Sequence, residues 1–436
     1  MTPQEIAGLG PALTSFLVSF ECCFFRREVM AHFRRYCRGL LSDLSRKSVE
    51  PIALAAGCAV RSLQEFLSHL RWDQGKMRDL IQQRIAATHA PVPGTPRAAG
   101  DPGVIGLIDE CAQPKKGDQT PGVKHQYCGA SGKLDHCIVN VHLAYRHSST
   151  GFMTLIDSDL FLPQDWSEDR ERCRRAHIPD DRVYRPKTAI ALEQVRRALA
   201  NGLRFDFFTF DEAYGKDPSF LFELEGLGQF YVGEVPSIFR CWSTRPQYHS
   251  LRGEFAPKEV RNLARRGRSF IHQRWRTLRL KRETLAPQTW EVKAAQVYLR
   301  DPATGRPSER TYWLIAGWNK RTDERKYWVS NAPPRTALGL LLKVAFSRAH
   351  VEHVFRVAKS EVGMDHYEGR SYLGLMRHLV LCQLVLLFLA EQTDRLRGEK
   401  RGTDLGADGP GAQYALPGLA EKAPPPLGPR SPLVRD

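Results

Sequence analysis

Five short apolar runs between residues 104 and 235 restrict this chain more than any other feature. VIGLID (104–109) is followed by HCIVNVHLAYRH (136–147) and GFMTLIDSDLFL (151–162), then by FDFFTFD (205–211) and QFYVGEV (229–235). Apolar runs of this length bounded by turn residues predict buried strands. The second and third are joined through Ser148-Ser149-Thr150-Gly151, which predicts a hairpin. Between the third and fourth lies KTAIALEQVRRALAN (187–201), a helical pattern that stops before Gly202, a residue suited to a C-terminal cap. Another helix is expected near 217–226. Strands interleaved with helices predict a mixed α/β fold around one central sheet.

The flanks differ in texture. Residues 1–95 carry apolar positions at helical spacing and predict an N-terminal all-α domain, expected to bind DNA. Within it, SVEPIALAAGCAVRSLQEFLSHL (48–70) has helix-turn-helix proportions around Gly57, a pattern shared with many plain helical hairpins. APVPGTPRAAGDPG (90–103) reads as a linker. The first part of the catalytic core is then expected over 96–235. A basic, tryptophan-containing, β-rich insertion follows over 236–332, with C-terminal core helices over 333–395. One long helix is expected from near Arg335 to about Val362. The Pro/Gly-rich stretch 396–436 predicts a disordered tail.

Charge points to the partner. The 436 residues hold 64 Lys+Arg against 48 Asp+Glu, a formal net charge of +16. Between Lys258 and Arg282 stand ten basic residues and one acid, among them Arg265, Arg266, Arg268, Arg274 and Arg276, interleaved with Phe270 and Trp275. Guanidinium groups pair with phosphate while aromatic rings stack on bases, so the expected partner is nucleic acid. A smaller cluster is Arg26, Arg27, Arg34, Arg35 and Arg38. The apolar stretch Leu379–Ala390, interrupted by Gln383, falls short of the roughly 20 residues a bilayer needs and predicts a core helix. The opening MTPQEIAGLG shows no signal-peptide pattern, and ten cysteines without a CxxC pair fit a reduced, cytoplasmic setting. GASGKL (129–134) lacks the spacing of a phosphate-binding P-loop. The neighbours His125/Cys128 and His136/Cys137 match no zinc-finger spacing.

Three acids stand where chemistry can be done. Asp109 closes VIGLID and Asp211 closes FDFFTFD. Carboxylates at the carboxyl ends of neighbouring strands meet at the edge where open α/β sheets build their sites, and need a cation between them. Oxygen-only ligands favour Mg²⁺ or Mn²⁺. Glu352, in SRAHVEHVFRVAKSE (347–361), is the candidate third carboxylate, with Arg348 and Lys359 expected on the same helix face. Taken one at a time, such acids are ordinary turn residues or half of a surface ion pair. Their conjunction in a basic chain favours chemistry.

The ordered series VIGLIDECAQPKKG, GVKHQYCGASGKLDHC, FLPQDW, FDFFTFDEAYGKD, KYWVSNAP and GMDHYEGRSY resembles the DDE transposases of the insertion-sequence 701 family, related to the transposon five and insertion-sequence four group. The resemblance covers roughly residues 50–390. It implies an RNase H-like core with a β-rich insertion, two Mg²⁺ or Mn²⁺ ions, and cut-and-paste transposition. The substrates would be the terminal inverted repeats and target DNA, both double-stranded, and the synaptic complex would be a homodimer. It implies Asp109, Asp211 and Glu352 as catalytic metal ligands. Arg348 and Lys359 match the arginine and lysine of the family group's tyrosine-arginine-glutamate-lysine signature, and Lys115, Lys116 and the arginine run join them as DNA contacts. Ala345 stands where that signature has tyrosine, and Asp109-Glu110-Cys111 stands where the family's first-strand motif usually reads Asp-Asp-Thr. Strand alternation turns Glu110 to the opposite face and leaves Asp109 as the metal-side acid. Two other readings use the same residues: a metal-dependent nuclease without strand transfer, and a non-catalytic DNA-binding derivative.

Overall fold

The computed structural model describes residues 3–91, 97–246, 256–280 and 288–403. The N-terminal region is helical: α1 (Pro3–Val18), α2 (Arg27–Leu41), α3 (Val49–Ala55), α4 (Val60–Ser68) and α5 (Gln74–Thr88). In α2, Val29, Phe33, Tyr36, Cys37 and Leu40 are buried, a helical stripe that leaves the arginines outward. Helix α5 begins at Asp73, whose side chain accepts from the Lys76 amide at 2.8 Å, the expected N-cap bond. Gly57, between α3 and α4, has φ +61°, which glycine adopts without strain.

The central sheet is built from β1 (Val104–Pro114), β2 (Lys124–Cys128), β3 (Lys133–His147) and β4 (Met153–Leu160). After α6 (Gln164–Glu168), α7 (Arg170–Arg175) and α8 (Lys187–Ala200) come β5 (Phe207–Phe210), α9 (Glu212–Gly215), α10 (Pro218–Gly226) and β6 (Tyr231–Val235). The β3–β4 hairpin forms as the sequence predicts, and Gly202 follows α8 at φ +90°. Strands β4, β3, β1, β5 and β6 lie side by side in that order. β3 runs antiparallel to both β4 and β1, while β1, β5 and β6 are parallel, so β3 alone is reversed among these five.

The β-rich stretch does not stand apart from this sheet. It contains β7 (Arg240–Cys241), β8 (Lys258–Glu259), α11 (Val260–Arg266), α12 (Arg268–Ile271), β9 (Arg276–Leu280), β10 (Gln288–Val297), β11 (Tyr312–Asn319) and β12 (Glu324–Ser330). Strand β12 pairs antiparallel with β6, and β11, β10 and β9 follow in order, so the sheet reaches ten strands. Lys281 and Arg282 of the basic run lie outside the described residues.

The expected single helix after Pro334 is two: α13 (Leu338–Ser347) and α14 (Ala349–Ser360), divided at Arg348. The last helix, α15 (Tyr372–Thr403), has 32 residues and runs eight past the boundary at which the tail was expected; residues 404–436 lie outside the described residues. By length and composition α15 could cross a membrane, longer than its apolar stretch suggested. It is instead enclosed by β4, α2, α4 and α5. Its polar residues are matched to that interior. His378 meets the Tyr36 hydroxyl at 2.9 Å and the carbonyls of Gly363 and Met364, and burial pushes its pKa down to about 4. Gln383 donates to Ser158 Oγ at 2.6 Å.

Arg377 is the tightest of these ties. It is 3% exposed. Its guanidinium donates to the carbonyls of Phe66, Leu67, Leu70 and Trp72 at 2.8–3.3 Å and lies 4.7 Å from the centre of the Trp72 ring. These are the carbonyls a helix leaves unpaired at its C-terminal end, here that of α4 and the turn after it. Arg377→Met keeps the apolar stem but orphans the carbonyls of Leu67, Leu70 and Trp72, whereas Phe66 keeps its bond from Trp72 Nε1 at 3.0 Å. It should destabilise the protein by roughly 3 kcal/mol or more, read as a lower urea midpoint; an unchanged midpoint would refute the tie.

Candidate active site

Asp109 is not the last residue of its strand. β1 continues five residues beyond it, because Glu110 to Pro114 keep pairing with Val141 to Cys137 of β3. On the other side the sheet opens. β5 pairs with β1 only at Ile105–Phe207, Gly106–Phe208 and Leu107–Thr209, and ends at Phe210. Gly106 permits this approach, since a Cβ there would meet the Phe208 ring at 2.4 Å. Two further residues in the same register bring Asp211 level with Asp109. Asp211 caps α9, accepting from the Ala213 amide at 3.0 Å. It therefore fills the turn-residue role that a strand-end aspartate usually has, and also faces the notch.

Asp109 is held at both oxygens. Oδ1 accepts from the Glu110 amide at 2.8 Å and Oδ2 from Arg348 Nη1 at 2.8 Å. Burial raises its pKa to about 7; the Asp211 charge adds to the rise and Arg348 opposes it. Arg348 stands at the break between α13 and α14, and its Nη2 is 3.9 Å from Glu352 Oε1. Burial works against its charge, but Asp109, Asp211, Glu234 and Glu352 outweigh burial and hold its pKa above the ordinary value. Glu352 itself is open, with 70% of its side chain exposed. Glu110 faces the other side of the sheet and pairs with Lys187 of α8 at 2.6 Å.

The acids thus gather around a guanidinium. Among the described residues there is no preformed group of three His, Cys, Asp or Glu that could hold a metal ion. The donor chemistry nevertheless suits a hard divalent cation: Asp109 and Asp211 are oxygen ligands, the Asp211 charge is close enough to raise the cost of ionising Asp109, and Arg348 already answers both acids. His125 and His136 face each other across the β2–β3 ribbon, on the face opposite Cys128 and Cys137, so these four do not converge.

The basic residues divide by location. Lys359 lies under α14 with Nζ 3.5 Å from the Ala112 carbonyl, beside Cys111. Lys115 is engaged, donating to the carbonyls of Asp365 and Tyr367 at 3.0 and 2.7 Å, and burial lowers its pKa to about 8. Lys116 is exposed. Arg265, Arg266, Arg268, Arg274 and Arg276 are all exposed, but β9 is five strands from β5, on the order of 24 Å. Trp290 and Trp328 are buried against Phe346, whereas Trp275 is 37% exposed, 6.1 Å from Trp318.

Sequence reasoning missed Tyr214. Its hydroxyl is buried without a hydrogen-bond partner beside Glu110, Asp109 and Asp211. Its place three residues after Asp211, one helical turn on, was the available signal. It also missed Glu234, which adds to the field on Arg348 and pairs with Lys326 at 2.9 Å.

The fold binds the Asp109 proton up to about pH 7, against an ordinary value of 3.8. Stability from this group is therefore full below 3.8 and is lost as pH rises through 7. With a chelator present, Asp109→Asn should raise the melting temperature at pH 8, with the gain shrinking toward pH 4. A variant melting lower than wild type at both pH values would contradict this.

Comparison with known proteins bears on the same residues. The family described as DDE superfamily endonuclease matches residues 19–296, which include Asp109 and Asp211 and stop short of Glu352. A probable transposase for insertion sequence element IS701 from Microchaete diplosiphon is 30% identical over 201 residues, 46% of this chain and 47% of that protein. The chain thus spans about half the length of that curated relative. The cryo-EM structure of the piggyBac transposase synaptic complex with hairpin DNA aligns at 10% identity over 86% of this chain and 68% of that one, with a TM-score of 0.44, too low to carry weight. With well over half its length matched, Asp109 and Asp211 included, the chain belongs to the DDE superfamily endonucleases.

Proposed function

We propose that this chain is a transposase of the insertion-sequence 701 kind, which cuts DNA at the ends of its element and joins the freed ends to target DNA. The observation that carries the reading is the β1–β5 register, which brings Asp211 level with Asp109 while Arg348 links Asp109 to Glu352. The strand order β4–β3–β1–β5–β6, with β3 alone reversed, supports an RNase H-like core. Homodimeric synapsis and a setting in the bacterial cytosol belong to the same proposal.

Asp109, Asp211 and Glu352 would hold two Mg²⁺ or Mn²⁺ ions. When bound, such ions activate water and neutralise charge on the phosphodiester. The protein's own part is positioning. The sheet fixes Asp109 and Asp211, and α14 carries Glu352 toward them. Once other positive charge serves the two aspartates, Arg348 is free to pair with phosphate, and Lys359, roughly 16 Å further along the helix, would offer a second basic contact. Water oxygen bonds to phosphorus as the bond to the 3′ oxygen breaks, and that oxygen leaves as a hydroxyl. The hydroxyl then attacks a second phosphodiester, either the opposite strand or target DNA. One P–O bond forms as one breaks, so no covalent protein intermediate is required. Trp275, exposed among arginines, is the tryptophan best placed to stack on an unpaired base.

The substrate can be read from the inverted repeats flanking the gene. Wild type should nick duplexes carrying them only with Mg²⁺ or Mn²⁺, and join the 3′ ends to a target plasmid. Asp109→Ala, Asp211→Ala and Glu352→Ala should each cut at least ~100-fold more slowly, the loss of several kcal/mol of charge stabilisation. Cleavage by the triple variant at the wild-type rate would remove the site assignment, and cutting without joining would leave a nuclease.

A further inference from the structure

The β2–β3 ribbon carries a feature the catalytic reading leaves unused. Pairing of β1 with β3 ends at Pro114–Cys137, and Cys137 also pairs with Lys124 on its other side. Beyond that point β2 and β3 run on as a two-stranded ribbon to the turn Gly129-Ala130-Ser131-Gly132. Tyr127 and Leu134 are directly opposite one another on it, and are 65% and 62% exposed. Two large apolar side chains held out together by a rigid ribbon are costly unless something covers them.

Strand alternation fixes which way they face. Leu134, His136, Ile138, Asn140 and His142 share one face of β3, and His142 is the direct partner of Asp109. The exposed Tyr127–Leu134 pair therefore lies on the continuation of the sheet face that carries Asp109. On the opposite face Cys128, Cys137 and Val139 are buried with Ala112 and Phe161, which anchors the ribbon and fixes its direction.

Chemistry on the exposed face favours nucleic acid. Its residues are His125, Tyr127, Leu134 and His136, with no acid among them; exposed Lys116 follows Lys115, whose amide donates to the His136 carbonyl at 2.8 Å, while Lys133 and Asp135 belong to the opposite face. Gly129 and Gly132 have no atoms within 4 Å of where a Cβ would stand, so the tip is slim and open. A two-stranded ribbon fits a DNA groove, and apolar wedges entering between base steps are an established mode of DNA contact. Two side chains alone are far from the roughly 1,200 Å² that a stable protein interface buries.

We propose that the β2–β3 ribbon is a duplex-DNA contact whose Tyr127 and Leu134 insert between base pairs on the DNA held at the Asp109 site. The inference rests on the DNA-cutting function proposed above. From His142 to Leu134 is eight residues, about 26 Å along the strand, or roughly eight base pairs from the cut phosphate at ~3.4 Å each.

The test uses the full chain and a 60-bp duplex copied from DNA flanking the gene, with 2-aminopurine placed singly along it. Wild type should raise 2-aminopurine fluorescence most near eight base pairs from the cut. Tyr127→Ala/Leu134→Ala, melting as wild type does, should lose that rise and bind about fivefold or more weakly, whereas Tyr127→Phe should keep both. An alanine variant that retains the rise and the affinity overturns the inference alone. So does one that binds DNA normally but loses self-association in light scattering, since the face would then meet a second copy. No DNA binding by the unaltered chain overturns the proposed function and this inference together.

Discussion

The buried pair between Arg348 and Asp109 is the constraint on which the site depends. Asp109 is taken out of water in the middle of a sheet, where an unpaired carboxylate is costly. Arg348 reaches it from the junction of α13 and α14, where its backbone stays helical at φ −54° and ψ −38°. The same group faces Asp211 and Glu352. One cation thus gathers three acids from three elements far apart in sequence. Acids gathered in this way are held at a cost, which is common where a protein must later bind a more highly charged partner.

Two further arrangements keep that pair in place. β1 is clamped by β3 along its whole length on one side but by β5 over only three residues on the other, so the notch lies where pairing stops. Behind the site, α15 is locked to the N-terminal helices through Arg377, His378 and the Arg84–Glu391 ion pair at 2.7 and 2.9 Å. Those helices share one continuous apolar core with the sheet, from Leu13 to Phe388. The region expected to grip DNA and the region expected to cut it are therefore mechanically joined. The basic run lies far along the extended sheet, which allows a long duplex to be held by charge at one end and cut near the other.

Much of this could be read from residues alone. Period-two and period-3.6 patterns located the strands, the β3–β4 hairpin and α8, because burial of one face leaves a local signature. The dense arginine run and the acids at 109, 211 and 352 were visible as residue types. Three features were not. A strand end is set by its neighbours' pairing, so Asp109 looked terminal when only β5 stops there. A junction at a residue whose φ and ψ stay helical has no local sequence signal, so α13 and α14 read as one helix. Lys115 resembles any surface lysine in sequence, yet two backbone carbonyls hold it.

The sequence by itself determined the elements, the excess of positive charge and the three acids, since each follows from side-chain chemistry over a few residues. Tertiary structure decided which acids meet, that a guanidinium stands among them, that the β-rich stretch extends the central sheet, and that Tyr127 and Leu134 project on the face of Asp109. These are contacts between residues distant in the chain. They depend on strand register and packing, which no short stretch of sequence encodes alone.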